Sequence, residues 1–180
     1  MCPVNLNTTG APVILLLKIV ILFFVSAWSP ISTALPSDRE QKLYIVADSY
    51  LLNYKTGIDT YEGNVKMDQG STHLIADKVI TEKNKQRKII SAIAYGIKNL
   101  AEFKTLPKEG DDIFHAKAKV IMFYPTTSIV TLEDNVKVTQ GENSFEGPIV
   151  VYHMKNQIVS TPPSKRGRAT VIIDTKPSKS

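Results

Sequence analysis

The chain has 180 residues, a formal net charge of +5 and a single cysteine, with 43% hydrophobic and 22% charged residues. One cysteine makes no intramolecular disulfide, so a disulfide-stapled scaffold is excluded and any fold must be held by its apolar core. The length suits one domain of ordinary size.

At the N-terminus, residues 13–25 are apolar except for Lys18. Small residues follow at Ser26-Ala27 and at Ser32-Thr33-Ala34, where a signal peptidase reads before Leu35. Residues 1–34 are therefore expected to be a secretory signal peptide. The stretch ahead of the apolar run lacks Lys and Arg, and the run from Ala11 to Trp28 reaches the roughly 17-residue minimum for a membrane span. An uncleaved single-span anchor is the alternative. Cleavage after Ala34 removes Cys2 and Lys18, which takes the charge from +5 to +4 and leaves a mature chain without cysteine. The remaining basic residues are dispersed, except for Lys83-Asn84-Lys85-Gln86-Arg87-Lys88 and Lys165-Arg166-Gly167-Arg168. These clusters read either as solvated loops or as contacts for an anionic partner such as a phosphorylated glycolipid.

Along the mature chain helical periodicity is nearly absent and alternation prevails. Leu43, Ile45 and Ala47 fall on one side of a strand, followed by Leu52 and Tyr54, then Tyr61, Val65 and Met67, then Thr72, Leu74 and Ala76. Turn-like breaks recur every eight to twelve residues, among them Lys55-Thr56-Gly57, Glu62-Gly63-Asn64, Gln69-Gly70-Ser71, Pro125-Thr126-Thr127, Glu133-Asp134-Asn135 and Gln140-Gly141-Glu142. Further strands are expected over 88–94, 96–103 and 169–174. The pattern is all-β, a sandwich, barrel or roll without significant helix. Its domain spans 35–160, and 161–180 is expected to hold a C-terminal edge strand and a disordered tail.

A short phrase occurs twice. Glu62-Gly63-Asn64-Val65-Lys66-Met67-Asp68-Gln69-Gly70 returns 71 positions later as Glu133-Asp134-Asn135-Val136-Lys137-Val138-Thr139-Gln140-Gly141. At this offset the match covers about 47–80 and 118–151, which indicates a structural unit laid down twice. A degraded third copy is expected from Tyr152 to Val159, which echoes Leu52 to Asp59. A unit repeated without any repeated catalytic group points to a surface or groove rather than a reaction centre.

The residues offer no reaction chemistry. His73, His115 and His153 lie on separate expected strands without ligands at metal spacing, so no metal is expected. Nucleophile-elbow, phosphate-loop and dinucleotide signatures are missing, and no cofactor is expected. Asp111-Asp112 reads as a solvated loop pair. The chain is not expected to be an enzyme.

The ordered set Leu43-Tyr44-Ile45-Val46-Ala47-Asp48, Tyr61-Glu62-Gly63-Asn64-Val65, Gln69-Gly70 and Ala76-Asp77-Lys78-Val79, followed by the second Asn-Val-Lys-Val-Thr-Gln-Gly, resembles the OstA-like family of lipopolysaccharide-transport proteins. The resemblance covers about 43–158. The second copy departs from it at Asp134, which replaces the turn glycine, and at Gly147-Pro148, which stands where the first copy has Ala76-Asp77.

The resemblance implies a twisted OstA-like β-jelly roll of stacked antiparallel strands in the periplasm. It implies a hydrophobic groove for the lipid A acyl chains of lipopolysaccharide, and head-to-tail self-association through edge strands. The implied partners are an inner-membrane LptC-like anchor and an outer-membrane LptD-like translocon, with no nucleic acid. Groove lining then falls to the alternating set Leu43, Ile45, Leu52, Tyr54, Tyr61, Val65, Met67, Leu74, Phe103, Ile121, Phe123, Val130, Leu132, Val136, Val138 and Phe145. The same set would equally fill a closed core. The alternative function is an anchored LptC-like subunit, or an interaction module that joins partners by strand addition without carrying lipid.

Overall fold

The computed structural model describes residues 40–175. The expected signal peptide, residues 1–34, and the end of the expected tail, residues 176–180, lie outside them. Twelve strands follow in order: β1 (Tyr44–Val46), β2 (Ser49–Leu52), β3 (Ile58–Gln69), β4 (Thr72–Lys83), β5 (Ile89–Tyr95), β6 (Ala101–Thr105), β7 (Phe114–Ala118), β8 (Val120–Tyr124), β9 (Ile129–Gln140), β10 (Asn143–His153), β11 (Ile158–Ser160) and β12 (Thr170–Ile172). All pairings are antiparallel, and no helix of the described residues is long and apolar enough to cross a membrane.

The long strands explain the architecture. At 12 residues each, β3, β4 and β9 would run roughly 40 Å if straight. Instead each serves two sheets. Residues 59–62 of β3 pair with β2 and residues 58–62 with the second half of β4, whereas residues 66–68 pair with β1 and residues 65–69 with the first half of β4. The second half of β4 continues to β5 and its first half to β6. The result is one sheet ordered β2-β3-β4-β5-β8-β9-β10-β11 and a second ordered β1-β3-β4-β6-β7-β9-β10-β12, joined along the bends of β3, β4, β9 and β10.

Glu62-Gly63-Asn64 and Glu133-Asp134-Asn135, expected to be turns, are bulges inside β3 and β9. Gly63 and Asn64 have φ of 77° and 46°, Asp134 and Asn135 have 60° and 55°, and the register shifts at each site. Two left-handed residues against one on the partner bend the strand from one sheet into the other. Turn chemistry here makes a corner, not a reversal. Pro148 sits opposite the second bulge, at a gap in the ladder where its missing N–H costs nothing.

The repeat is more complete than the short phrase. Shifted by 71, Tyr44↔Asp68 becomes His115↔Thr139, Ser49↔Glu62 becomes Val120↔Glu133, and Ile58↔Glu82 becomes Ile129↔His153. The backbone bond from Asp48 N to Gly63 O, 2.9 Å, recurs from Lys119 N to Asp134 O at 2.8 Å. β1–β6 and β7–β12 are thus two copies of one six-stranded unit. The expected third copy from Tyr152 is instead the end of the second, where β10 turns into β11.

The strand expected over 96–103 is also corrected. Asp77 Oδ2 accepts hydrogen bonds from the backbone N–H groups of Ile97 and Lys98, both 2.6 Å, and of Asn99, 3.3 Å. This curls 97–99 into the crossover that carries the chain from β5 in one sheet to β6 in the other. The three amides hold the Asp77 carboxyl below its ordinary pKa, with the Lys98 amide contributing most.

Candidate functional site: an apolar trough between the sheets

Alternation along each strand sends one row of side chains into the space between the two sheets. In the second repeat that space is full. Phe114 and Tyr152 are fully buried and stack with ring centroids 3.9 Å apart and planes 11° apart. Phe103 meets Phe114 edge-on at 6.5 Å and Phe123 at 5.6 Å, so an aromatic row closes this side. In the first repeat the space is a cavity of about 700 Å³, within the size range of small-molecule and lipid sites.

One sheet supplies Leu43, Ile45, Met67, Leu74 and Phe103 to the wall, and the other Tyr61, Thr81, Ile89, Ile90, Ala92 and Phe123. At the rim stand Gln69 and Thr72 from one sheet, and Lys83, Asn84, Arg87, Lys88, Pro125 and Thr126 from the other. The trough has one polar corner. Lys83 Nζ pairs with Asp59 Oδ2, and Asp59 is only 2% exposed. Asp59 Oδ1 also accepts the Asn53 N–H at 3.1 Å. Burial, aided by the Asp59 charge, raises the Tyr61 phenol above its ordinary pKa and keeps it neutral.

Of the residues expected to line a groove, Leu43, Ile45, Tyr61, Met67, Leu74, Phe103 and Phe123 do line this cavity. Val65, Ile121, Val130, Leu132, Val136 and Val138 are buried in the core away from it, and Leu52 and Phe145 pack against that core from its margin. Tyr54 is placed differently from expectation. It lies in the turn after β2, 72% exposed, with the Arg87 guanidinium 5.2 Å from its ring centroid. A turn breaks strand alternation, so its parity with Leu52 carried no information about facing.

Thr81, Ile89, Ile90 and Ala92 line the cavity without having been singled out in the sequence, and Lys83, which opens the basic cluster noted there, lines it too. The signal lay in the differences between the copies. At the 71-residue offset Asp59, Thr81 and Lys83 correspond to Val130, Tyr152 and Met154, so the polar corner belongs to the first copy alone.

Among the described residues no three His, Cys, Asp or Glu side chains gather as a metal site. His73 pairs with Asp68 at 2.6 Å and His115 with Glu102 at 3.2 Å, both away from the cavity lining.

At the level that fold and site define, this is an all-β roll of two facing sheets that encloses an apolar trough. The chain belongs to the family described as LptA/(LptD N-terminal domain) LPS transport protein, whose match spans residues 44–158. It is 37% identical over 142 residues to the lipopolysaccharide export system protein LptH of Pseudomonas aeruginosa, covering 79% of this chain and 77% of that one. It is 24% identical over 160 residues to LptA of Haemophilus influenzae, covering 87% and 90% of the two chains. The crystal structure of LptH, described as the LptA-homologous periplasmic component of a lipopolysaccharide transport device, superposes with a TM-score of 0.71. That match is at 33% identity, over 77% of this chain and 99% of that one.

Proposed function

We propose that this chain is a non-catalytic periplasmic carrier that holds the lipid A acyl chains of lipopolysaccharide in the trough between its sheets and passes the lipid from the inner towards the outer membrane. The observation that carries the reading is the cavity itself, apolar on both walls, in a member of a lipopolysaccharide-transport family. Each buried methylene contributes roughly 0.8 kcal/mol, so even part of one acyl chain binds usefully. Export through cleavage after Ala34 belongs to the same reading.

The edges support assembly into a bridge. Inside the chain, β5 and β6 of the first copy pair with β8 and β7 of the second. At the ends, β11 and β12 hold the places of β5 and β6, and β2 and β1 those of β8 and β7. A second copy can therefore add its β2 and β1 to β11 and β12 by the pairing already used internally. Both edges carry exposed apolar residues, Tyr44, Val46, Tyr50 and Leu51 at one end and Ile158, Val171 and Ile172 at the other. Fold-related partners, an LptC-like anchor and an LptD-like translocon, would dock in the same way.

The test is photocrosslinking with labelled lipopolysaccharide from a reactive residue placed at Ile45 or Phe103, with Lys66 as the outward control. Adducts at the first two and none at Lys66 are expected. Equal labelling at all three rejects the trough as the lipid site.

A further inference from the structure

The two rims of the trough differ in charge. The rim formed by the β4–β5 hairpin carries Lys85, Arg87 and Lys88 within four residues, all exposed, and Arg87 and Lys88 belong to the cavity lining. Among the described residues none of these three meets a carboxylate at ion-pair distance. The facing rim contributes Gln69 and Thr72 and no cation.

The hairpin is also built, not merely exposed. Asn84 Oδ1 accepts the backbone N–H groups of Gln86 and Lys88, both at 3.0 Å, and the backbone bonds Asn84 N to Lys88 O and Arg87 N to Asn84 O close the turn at 2.9 Å each. Arg87 is further steadied over the Tyr54 ring. The corresponding turn of the second copy, 154–157, holds one cation, Lys155, and stands beside no trough.

From this geometry we infer that Lys85, Arg87 and Lys88 form a phosphate-binding lip that takes the phosphorylated head of an amphiphile whose acyl chains lie in the adjoining trough. The inference rests on the carrier reading above and adds an orientation to it. The head sits against the sheet that bears β5, and the chains point inward towards Phe103. An ammonium and a guanidinium flanking one apolar opening match an anionic head joined to apolar chains, and unpaired cations incur no cost of breaking an internal ion pair when the ligand arrives.

The experiment compares binding of bisphosphorylated lipid A and of its enzymatically dephosphorylated form to the purified chain and to a Lys85→Gln/Arg87→Gln/Lys88→Gln variant, with inorganic phosphate as competitor. The parent is expected to bind the phosphorylated form about tenfold more tightly, the worth of one net charge-assisted contact. The variant is expected to lose that preference, read as the ratio of its affinities for the two forms, and millimolar phosphate is expected not to displace the lipid. A variant that keeps the full preference overturns the lip and leaves the carrier reading standing. Displacement of the lipid by phosphate alone overturns the lipid head as the source of the anion. Failure of the folded parent to bind either lipid overturns the lip together with the carrier reading.

Discussion

Thr81 and Tyr152 hold the same place in the two repeats. Thr81 pairs with Asp59 across β3 and β4, Tyr152 with Val130 across β9 and β10, and both are fully buried. Yet the Tyr152 ring fills its space by stacking on Phe114, whereas Thr81 leaves a cavity between the sheets. One fold therefore holds a closed core and an open trough side by side, and the difference lies in side-chain volume.

Thr81→Tyr should fill the trough from within. The backbone already accommodates tyrosine at the equivalent position, so circular dichroism should be unchanged. Uptake of lipopolysaccharide should fall by more than about tenfold, the loss of a few buried methylenes. A folded variant that binds like the parent places the lipid elsewhere.

Ile45→Asp should weaken lipid binding more than Lys66→Asp. Ile45 faces the cavity, and Lys66, next in the chain to Ile45's strand partner Met67, is exposed. A carboxylate among acyl chains costs several kcal/mol, whereas one at position 66 stays hydrated. Titration of both variants against labelled lipopolysaccharide, with folding checked in parallel, measures the difference.

Breaking the buried pair should cost more than replacing it. Lys83→Met leaves Asp59 without its cation and should destabilise the chain by about 3 kcal/mol, while the double change Asp59→Val/Lys83→Met should return most of that loss. The second repeat already carries Val130 and Met154 at these positions. Urea unfolding of the single and double variants checks the coupling.

Association should grow with concentration and stop at no closed size, because a head-to-tail contact does not close on itself. Sedimentation over a wide concentration range should show this. Val171→Pro, which removes a donor from β12 while the central strands keep their pairing, should reduce association. Persistence of full association in this variant would show that β12 takes no part in it.

Acid should loosen the junction between the repeats. Glu102 on β6 is held below its ordinary pKa of 4.5, chiefly by the hydrogen bond from Lys117 Nζ at 2.7 Å and also by His115, both on β7. A carboxyl depressed in the folded state contributes stability that is complete above its unfolded pKa and is lost as pH falls through the folded value. The melting temperature of the parent should therefore drop below about pH 4.5, the ordinary glutamate value. The drop should be shallower in Glu102→Gln.

The sequence by itself determined the all-β class, the 71-residue repeat and most of the strands. Alternation has a period of two and turn residues have local causes, so both are legible residue by residue. It also determined most of the side chains that face inward, as the burial of Val65, Leu74, Phe103, Leu132 and Val138 shows, but not Tyr54, which a turn leaves exposed. Whether Gly63-Asn64 and Asp134-Asn135 reverse the chain or bend it was decided only in the tertiary structure. The same φ values serve both, and the choice depends on which strands flank the corner. Trough and core likewise separate only when the two sheets face each other. Inward parity is shared by Met67 and Val138, but free volume depends on the opposing wall. In the first copy that wall offers Thr81, and in the second it offers Tyr152 stacked on Phe114.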